Sequence, residues 1–88
     1  MVYMITYDLN KPGQDYPSLF RTIKNLGDAI HPLDSNWFLK TSYTAEYVRD
    51  TIARAVDPSD AIMVAAVAAP AYWKNLKVED TAWLKQNL

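Results

Sequence analysis

The sequence lacks several residues on which common kinds of protein chemistry depend. It contains no cysteine, so disulfides and thiolate metal sites are excluded, and a reducing compartment is permitted. Its two glycines are too few for a glycine-rich phosphate loop, and no Gly-x-Ser-x-Gly nucleophile motif occurs. A single histidine, His31, provides no ligand cluster, and we assign it a structural or surface role. ATP-type chemistry and serine hydrolase chemistry are therefore not expected.

Long hydrophobic runs and an excess of either charge are also missing. The longest apolar run, residues 61–72, is interrupted by Pro70 and is too short to span a bilayer. The first residues lack the charged segment that opens a secretory signal. Nine basic and ten acidic residues give a formal charge of −1, which argues against tight binding of nucleic acid. We expect a cytoplasmic protein that is not inserted in a membrane.

Hydrophobic and aromatic residues are abundant for so short a chain. The 88 residues are 50% hydrophobic and include three Trp and six Tyr. A domain of this size buries only about 60–65% of its unfolded surface. We therefore expect one domain, residues 1–88, with part of its apolar surface in an interface.

The first ten residues predict a buried strand that ends on a carboxylate. Residues 2–7 are β-branched, aromatic or Met, which is typical of a central strand covered on both faces. Asp8 follows, and turn-forming residues come after it. Strand ends are frequent positions for functional side chains.

The remaining periodicities predict a β-α-β-β-α-β order. A helix should begin at Asp15 to Pro17 and end before Gly27, whose left-handed conformation would terminate it. Strands are predicted at 28–33, 37–41 and 61–68, the first of them at a sheet edge because it contains Pro32. A second helix should run from the cap Thr44 to about residue 56.

This order matches the ferredoxin-like plan, an α+β fold with a four-stranded antiparallel sheet and two helices on one face. Strands one and three lie in the middle of that sheet. The other face needs a cover, because neither side of the first strand is polar. A tail of residues 72–88 containing a short helix, a second subunit, or both can provide it.

The opening Tyr3-x-x-x-Tyr7-Asp8-Leu9-Asn10, within this plan, resembles the CRISPR-associated Cas-two family and its SinR-like and VapD-like relatives. The SinR-like branch is the more similar, through residues 7–14 and 33–37. The resemblance implies a ferredoxin-like homodimer. It also implies that Asp8 of each subunit approaches its twin, binds a divalent ion such as Mg²⁺ and supports endonuclease activity on RNA or DNA.

Two departures from the family keep other functions open. The polar motif of the third strand is replaced by Trp37-Phe38-Leu39-Lys40, and the basic residues after the strand-end acid are reduced to Lys11. A non-enzymatic adaptor that binds a protein partner through the sheet face and the aromatic tail is the alternative. A small-molecule sensor is a third hypothesis.

Individual residues carry competing interpretations. Asp8 is either a catalytic and metal-binding carboxylate or an acceptor for the backbone of the turn at residues 10–13. Two facing carboxylates in a dimer would suit Mg²⁺ better than one. The candidate phosphate-binding residues are Lys11, Arg21 and Lys24, with a solvated helix face as the alternative.

The remaining polar and aromatic candidates have ordinary structural explanations. Asp34 and Ser35 belong to a turn whose sequence, Asp-Ser-Asn, needs no functional reason. The three tryptophans, Trp37, Trp73 and Trp83, can stack on bases in single-strand binders, but core or interface positions are expected for them.

Overall fold

The computed structural model describes residues 1–10 and 16–88 as an α+β fold with one four-stranded antiparallel sheet and three helices. The elements, in chain order, are β1 (Val2–Asp8), α1 (Tyr16–Leu26), β2 (Asp28–Leu33), β3 (Asn36–Lys40), α2 (Ala45–Ala53), β4 (Ala61–Ala66) and α3 (Val78–Asn87). Each predicted strand and helix is present, and the short helix expected in the tail is α3. The predicted cap Asp15 lies outside the described residues.

The sheet has the strand order β2-β3-β1-β4, with β1 and β3 in the middle as predicted. Asp8 is opposite Ala61 at the start of β4, and Thr6 is opposite Asn36 at the start of β3. The Pro-bearing strand β2 is at an edge and is irregular between Ile30 and Leu33, since a proline cannot donate to the ladder. The end of β1 therefore meets the beginnings of both neighbouring strands.

One face of the sheet packs against α1 and α2 and forms the main core. Strand alternation places Tyr3, Ile5 and Tyr7 of β1 on this face, and all three are buried. The other core side chains are Leu19, Ile23 and Leu26 of α1, Trp37 and Leu39 of β3, and Val48 and Ile52 of α2. Val2, Met4, Thr6 and Asp8 consequently belong to the opposite face.

Gly27 is needed for a reason other than the one predicted. Its backbone is not left-handed, so the expected left-handed helix stop is wrong. A Cβ at this position would instead collide with the carbonyl oxygen of Lys40 on β3. The chain passes directly from α1 into β2 at this point, and only a residue without a side chain allows so close an approach.

Helix α2 begins as predicted and ends earlier. The Thr44 hydroxyl accepts a hydrogen bond from the Tyr47 backbone N–H at 3.1 Å, which is an N-cap. The last helical residue is Ala53, since the Ala55 N–H donates to the Ile52 carbonyl at 2.9 Å and tightens the final turn. Val56, predicted to be helical, packs against the core from the loop that follows.

The tail folds back over the sheet face that α1 and α2 leave uncovered. Strand β4 ends at Ala66, two residues before its predicted end, and the following segment leads to α3. Leu84 of α3 is 2% exposed, and α3 contacts β2. The Trp73 indole N–H donates to the Thr81 hydroxyl at 3.1 Å and joins the connecting segment to the helix. The tail, a second subunit, or both were expected to cover this face. Within a single chain, the tail covers part of it.

Candidate functional site

Three loops meet at the end of the sheet where β1 terminates. They are residues 9–10 after β1, the β2–β3 turn at residues 34–35, and residues 57–60 of the connector between α2 and β4. We call this region the strand-end site. Its carboxylates come from Asp8, Asp34, Asp57 and Asp60.

The Asp8 side chain is exposed and belongs to the sheet face opposite α1 and α2. Within residues 1–10 and 16–88, no hydrogen bond or ion pair engages its carboxylate. Met63, which lies opposite Thr6 on the same face, is 60% exposed. Asp8 thus stands beside an uncovered apolar side chain, a neighbourhood that a second molecule can contact.

Asp60 holds the loop after β1. Its Oδ1 accepts the Asn10 backbone N–H at 2.8 Å, and its Oδ2 accepts the Asp57 backbone N–H at 2.9 Å. The Asn10 side-chain amide donates to the Ser59 carbonyl at 2.6 Å. Asp8 was considered as the acceptor for the backbone N–H groups of the turn at residues 10–13. For the Asn10 N–H, the acceptor is Asp60 instead. Residues 11–13 of that turn lie outside the described part.

Sequence reasoning did not single out Asp60, because Asp57-Pro58-Ser59-Asp60 has the composition of any turn. The signal that could have identified it is its position: Asp60 immediately precedes β4, and β4 begins beside Asp8. It became meaningful only once β4 was paired with β1.

An aromatic cluster lies behind Asp8 on the helix side of the sheet. The Trp37 indole N–H donates to the Tyr7 hydroxyl at 3.3 Å, and that hydroxyl donates to the Asp34 carbonyl at 3.4 Å. Burial raises the pKa of the Tyr7 hydroxyl above its ordinary value, against the lowering effect of the Trp37 hydrogen bond. Tyr7 therefore stays protonated at neutral pH and acts as a hydrogen-bond bridge.

His31 belongs to the same cluster. Its ring stacks on Trp37 with centroids 4.2 Å apart and an interplanar angle of 8°. The Nε2 atom lies 2.9 Å from the Asp34 carbonyl oxygen, and a carbonyl only accepts, so Nε2 carries a proton. These contacts are structural, which is one of the two roles, structural or surface, predicted for His31. Asp34 and Ser35 likewise contribute backbone carbonyls, Ser35 accepting the Tyr7 backbone N–H at 3.3 Å.

The predicted phosphate-binding residues are not gathered around Asp8. Lys11 lies outside the described residues. Arg21 and Lys24 are exposed on α1, which packs on the sheet face opposite to the Asp8 side chain. Lys24 is in the last turn of α1, and the adjacent Leu26 carbonyl accepts from Thr41, just after β3, at the far end of β1. Arg21 and Lys24 therefore do not form one continuous charged surface with Asp8 within the same chain.

The three tryptophans have packing roles. Trp37 is 2% exposed in the core, while Trp73 and Trp83 are half-buried in the tail. The Trp83 indole N–H is itself buried and has no hydrogen-bond acceptor in the described structure. All three positions agree with the core and interface interpretation rather than with base stacking.

Mg²⁺ would find an incomplete donor set in one chain. Among the residues that the structure describes, no three acidic or histidine side chains are grouped to hold a metal ion. One carboxylate with waters and substrate phosphates is a weak site, whereas two carboxylates related by a two-fold axis would suit Mg²⁺. The fit therefore depends on a second copy of the chain.

Comparison with known proteins returns no match among protein-family models, curated proteins or solved structures. None of the three helices in the described ranges has the length and hydropathy required to cross a bilayer.

Proposed function

We propose that the chain has a ferredoxin-like fold and works as a homodimer similar to the CRISPR-associated Cas-two family and its SinR-like relatives. The strand order β2-β3-β1-β4 and the packing of α1 and α2 on one face support the fold assignment. Helix α3 is an addition to that plan. The support for the family is the pair Tyr7-Asp8 at the end of a central strand.

The exposed Asp8 carboxylate beside exposed Met63 is the observation that carries the dimer proposal. A two-fold contact at this end of the sheet would bury Met63 from both subunits against apolar surface. It would also bring the two Asp8 carboxylates toward each other across the symmetry axis. Apolar burial would offset the cost of placing two like charges close together, and a bound cation would neutralise them.

Metal-dependent hydrolysis of a phosphodiester bond in RNA or DNA is the activity proposed for this dimer. A Mg²⁺ ion between the carboxylates would polarise the phosphate and lower the pKa of a bound water. The protein's part is to hold the two Asp8 side chains at fixed strand ends, with the loop behind them anchored by Asp60. With a formal charge of −1, substrate affinity has to come from the site itself.

Cleavage assays on Asp8→Asn test the activity. Single-stranded RNA, single-stranded DNA and duplex DNA are incubated with Mg²⁺ or Mn²⁺, with EDTA as the metal-free control. We expect Asp8→Asn to lose metal-dependent cleavage at least 100-fold, because the amide keeps the shape and removes the charge. Asp28→Asn, an exposed acid at the start of β2 and at the opposite end of the sheet, is the matched control and should retain full activity. Equal rates for wild type and Asp8→Asn would remove Asp8 from catalysis.

Sedimentation velocity tests the interface separately. A chain of 10.0 kDa should sediment with twice that mass, and Met63→Lys should shift it to monomer. Val78→Lys replaces an equally apolar side chain that is 83% exposed on α3, and it should leave the dimer intact. A wild-type protein that stays monomeric at high concentration would contradict the proposed site.

The outer surface of the tail favours a second candidate function, an adaptor that binds a protein partner without catalysis. Tyr72 is 96% exposed and Val78 is 83% exposed. Exposed aromatic residues are enriched at the centres of protein interfaces. A photo-cross-linking amino acid at position 72 should capture a discrete partner in the producing cells, and one at the exposed position 46 should not. Identical labelling from both positions would speak against the adaptor.

A further inference from the structure

The tail and the sheet border a half-open cleft of about 450 Å³ on the face opposite α1 and α2. We call it the tail cleft. The sheet contributes Met4 and Phe38 to its lining, and the tail contributes Trp73, Leu76 and Leu84. Met4 and Phe38 are only half-buried, whereas their neighbours on the other face, such as Ile5 and Leu39, are fully buried. The second layer of the protein therefore leaves part of the sheet unfilled.

We propose that the tail cleft binds a small apolar molecule that carries an anionic group. Its volume falls in the range of about 300–1,000 Å³ typical of small-molecule sites. It lies between two layers of one chain, the sheet and the tail. This shape suits a compact ligand better than a segment of a second protein.

The charge at the cleft indicates the polarity of the ligand. Among the described side chains that line it, that of Lys74 alone carries a formal charge. Lys74 is exposed, so an anionic group would rest near its ammonium at the solvent side while the apolar part enters the cleft. An exposed ion pair contributes little compared with apolar burial, and Lys74 would orient the ligand more than hold it.

Tyr72 supports a ligand at this position. The residue is 96% exposed although it lines the cleft, which leaves a large aromatic surface in water at the edge of the cleft. An apolar occupant would give that ring a surface to pack on. A medium-chain carboxylate or an aromatic acid has the required combination of properties.

Binding of decanoate below its micelle concentration tests the proposal, with decanol and decylammonium as neutral and cationic probes. Trp73 lines the cleft, so tryptophan fluorescence should change in a saturable way with one decanoate per chain. We expect Lys74→Gln to weaken decanoate about two- to fivefold and to leave decanol unchanged. Lys77→Gln, an exposed neighbour outside the described cleft lining, should change neither.

A second experiment fills the cleft with a larger side chain. Ala71 is exposed and lines the cleft, and Ala71→Phe should weaken decanoate at least tenfold. Ala82→Phe makes the same substitution at an exposed position of α3 that does not line it, and it should bind normally. Circular dichroism confirms that each variant is folded.

Several results would overturn the proposal. They are the absence of saturable binding, equal binding by Ala71→Phe and Ala82→Phe, or tighter binding of decylammonium than of decanoate. A dimer lost in Ala71→Phe and unaffected by decanoate would assign the cleft to a second copy instead. Asp8→Asn should bind decanoate like wild type, so the outcome is independent of the proposed nuclease function.

Discussion

Replacing Leu84 by alanine tests whether the tail is an integral layer of the protein. Leu84 is a residue of α3 and is only 2% exposed. Helix α3 lies on the sheet face that α1 and α2 leave uncovered. Burial of a leucine side chain contributes about 1.5–3 kcal/mol, and the space left behind raises the cost of Leu→Ala to about 2–5 kcal/mol. Because Leu84 is the one buried residue of α3 and the helix can relax into the space left behind, we expect a loss of about 2–3 kcal/mol.

That loss is large for a domain of this size. At about 0.05–0.15 kcal/mol per residue, the free energy of unfolding of such a chain is on the order of 4–13 kcal/mol. A loss of 2–3 kcal/mol should lower Tm by roughly 10–20 °C. If α3 detaches while the rest of the domain stays folded, the loss of stability cannot exceed the free energy with which α3 docks. The fluorescence of Trp73 and Trp83 in the tail would then change at lower urea concentration than the far-ultraviolet circular dichroism of the core.

Urea denaturation, followed by tryptophan fluorescence and circular dichroism together, measures this difference. Val78→Ala is the matched control on the same helix, because Val78 is 83% exposed and its truncation should cost under about 0.5 kcal/mol. Equal midpoints for Leu84→Ala and Val78→Ala would refute the packing of the tail on the sheet. The tail cleft would then lose its outer wall.

Two further substitutions probe the helix side of the sheet. Gly27→Ala should cost about 1–3 kcal/mol in urea denaturation, because its Cβ meets the Lys40 carbonyl, whereas Asn25→Ala, two residues earlier in α1, should be nearly neutral. Tyr7→Phe should cost about 1–3 kcal/mol because it leaves the buried Trp37 indole N–H without its acceptor. Burial raises the pKa of Tyr7, so the folded state keeps this proton after the unfolded state loses it near pH ~10. The associated stability is present below that pH and is lost as pH rises through the folded-state pKa. Alkaline titration should show a Tyr7 ionisation above the ordinary tyrosine range that Tyr7→Phe lacks; an ionisation within the ordinary range that disappears in Tyr7→Phe would contradict the burial of Tyr7.

The local features of this fold were readable from residue patterns. The apolar run before Asp8 predicted β1, Thr44 predicted the start of α2, and Pro32 predicted an edge strand. Each of these depends on residues within a few positions of one another, through backbone preferences and alternation. Gly27 shows the limit of such reasoning, because its requirement comes from a strand thirteen residues away.

The candidate site was only partly accessible to the same reasoning. Asp8 was chosen as a candidate from its place at a strand end, and the structure leaves its side chain exposed. Asp60 was missed because its hydrogen bond to Asn10 joins residues fifty positions apart. The sequence also did not show that Arg21 and Lys24 lie on the other side of the sheet from Asp8. The alternation of side chains along β1 defines its two faces, but it does not indicate which face the helices cover.

The sequence by itself determined the order of the elements, the strand end at Asp8, and the two alternating faces of β1, because these follow from short-range periodicity and backbone geometry. Only the tertiary structure decided that Tyr3, Ile5 and Tyr7 face the helices and that the tail covers the opposite face incompletely. Those outcomes depend on how apolar surfaces distant in the chain compete to be buried, and that competition is settled by the packing of the whole molecule.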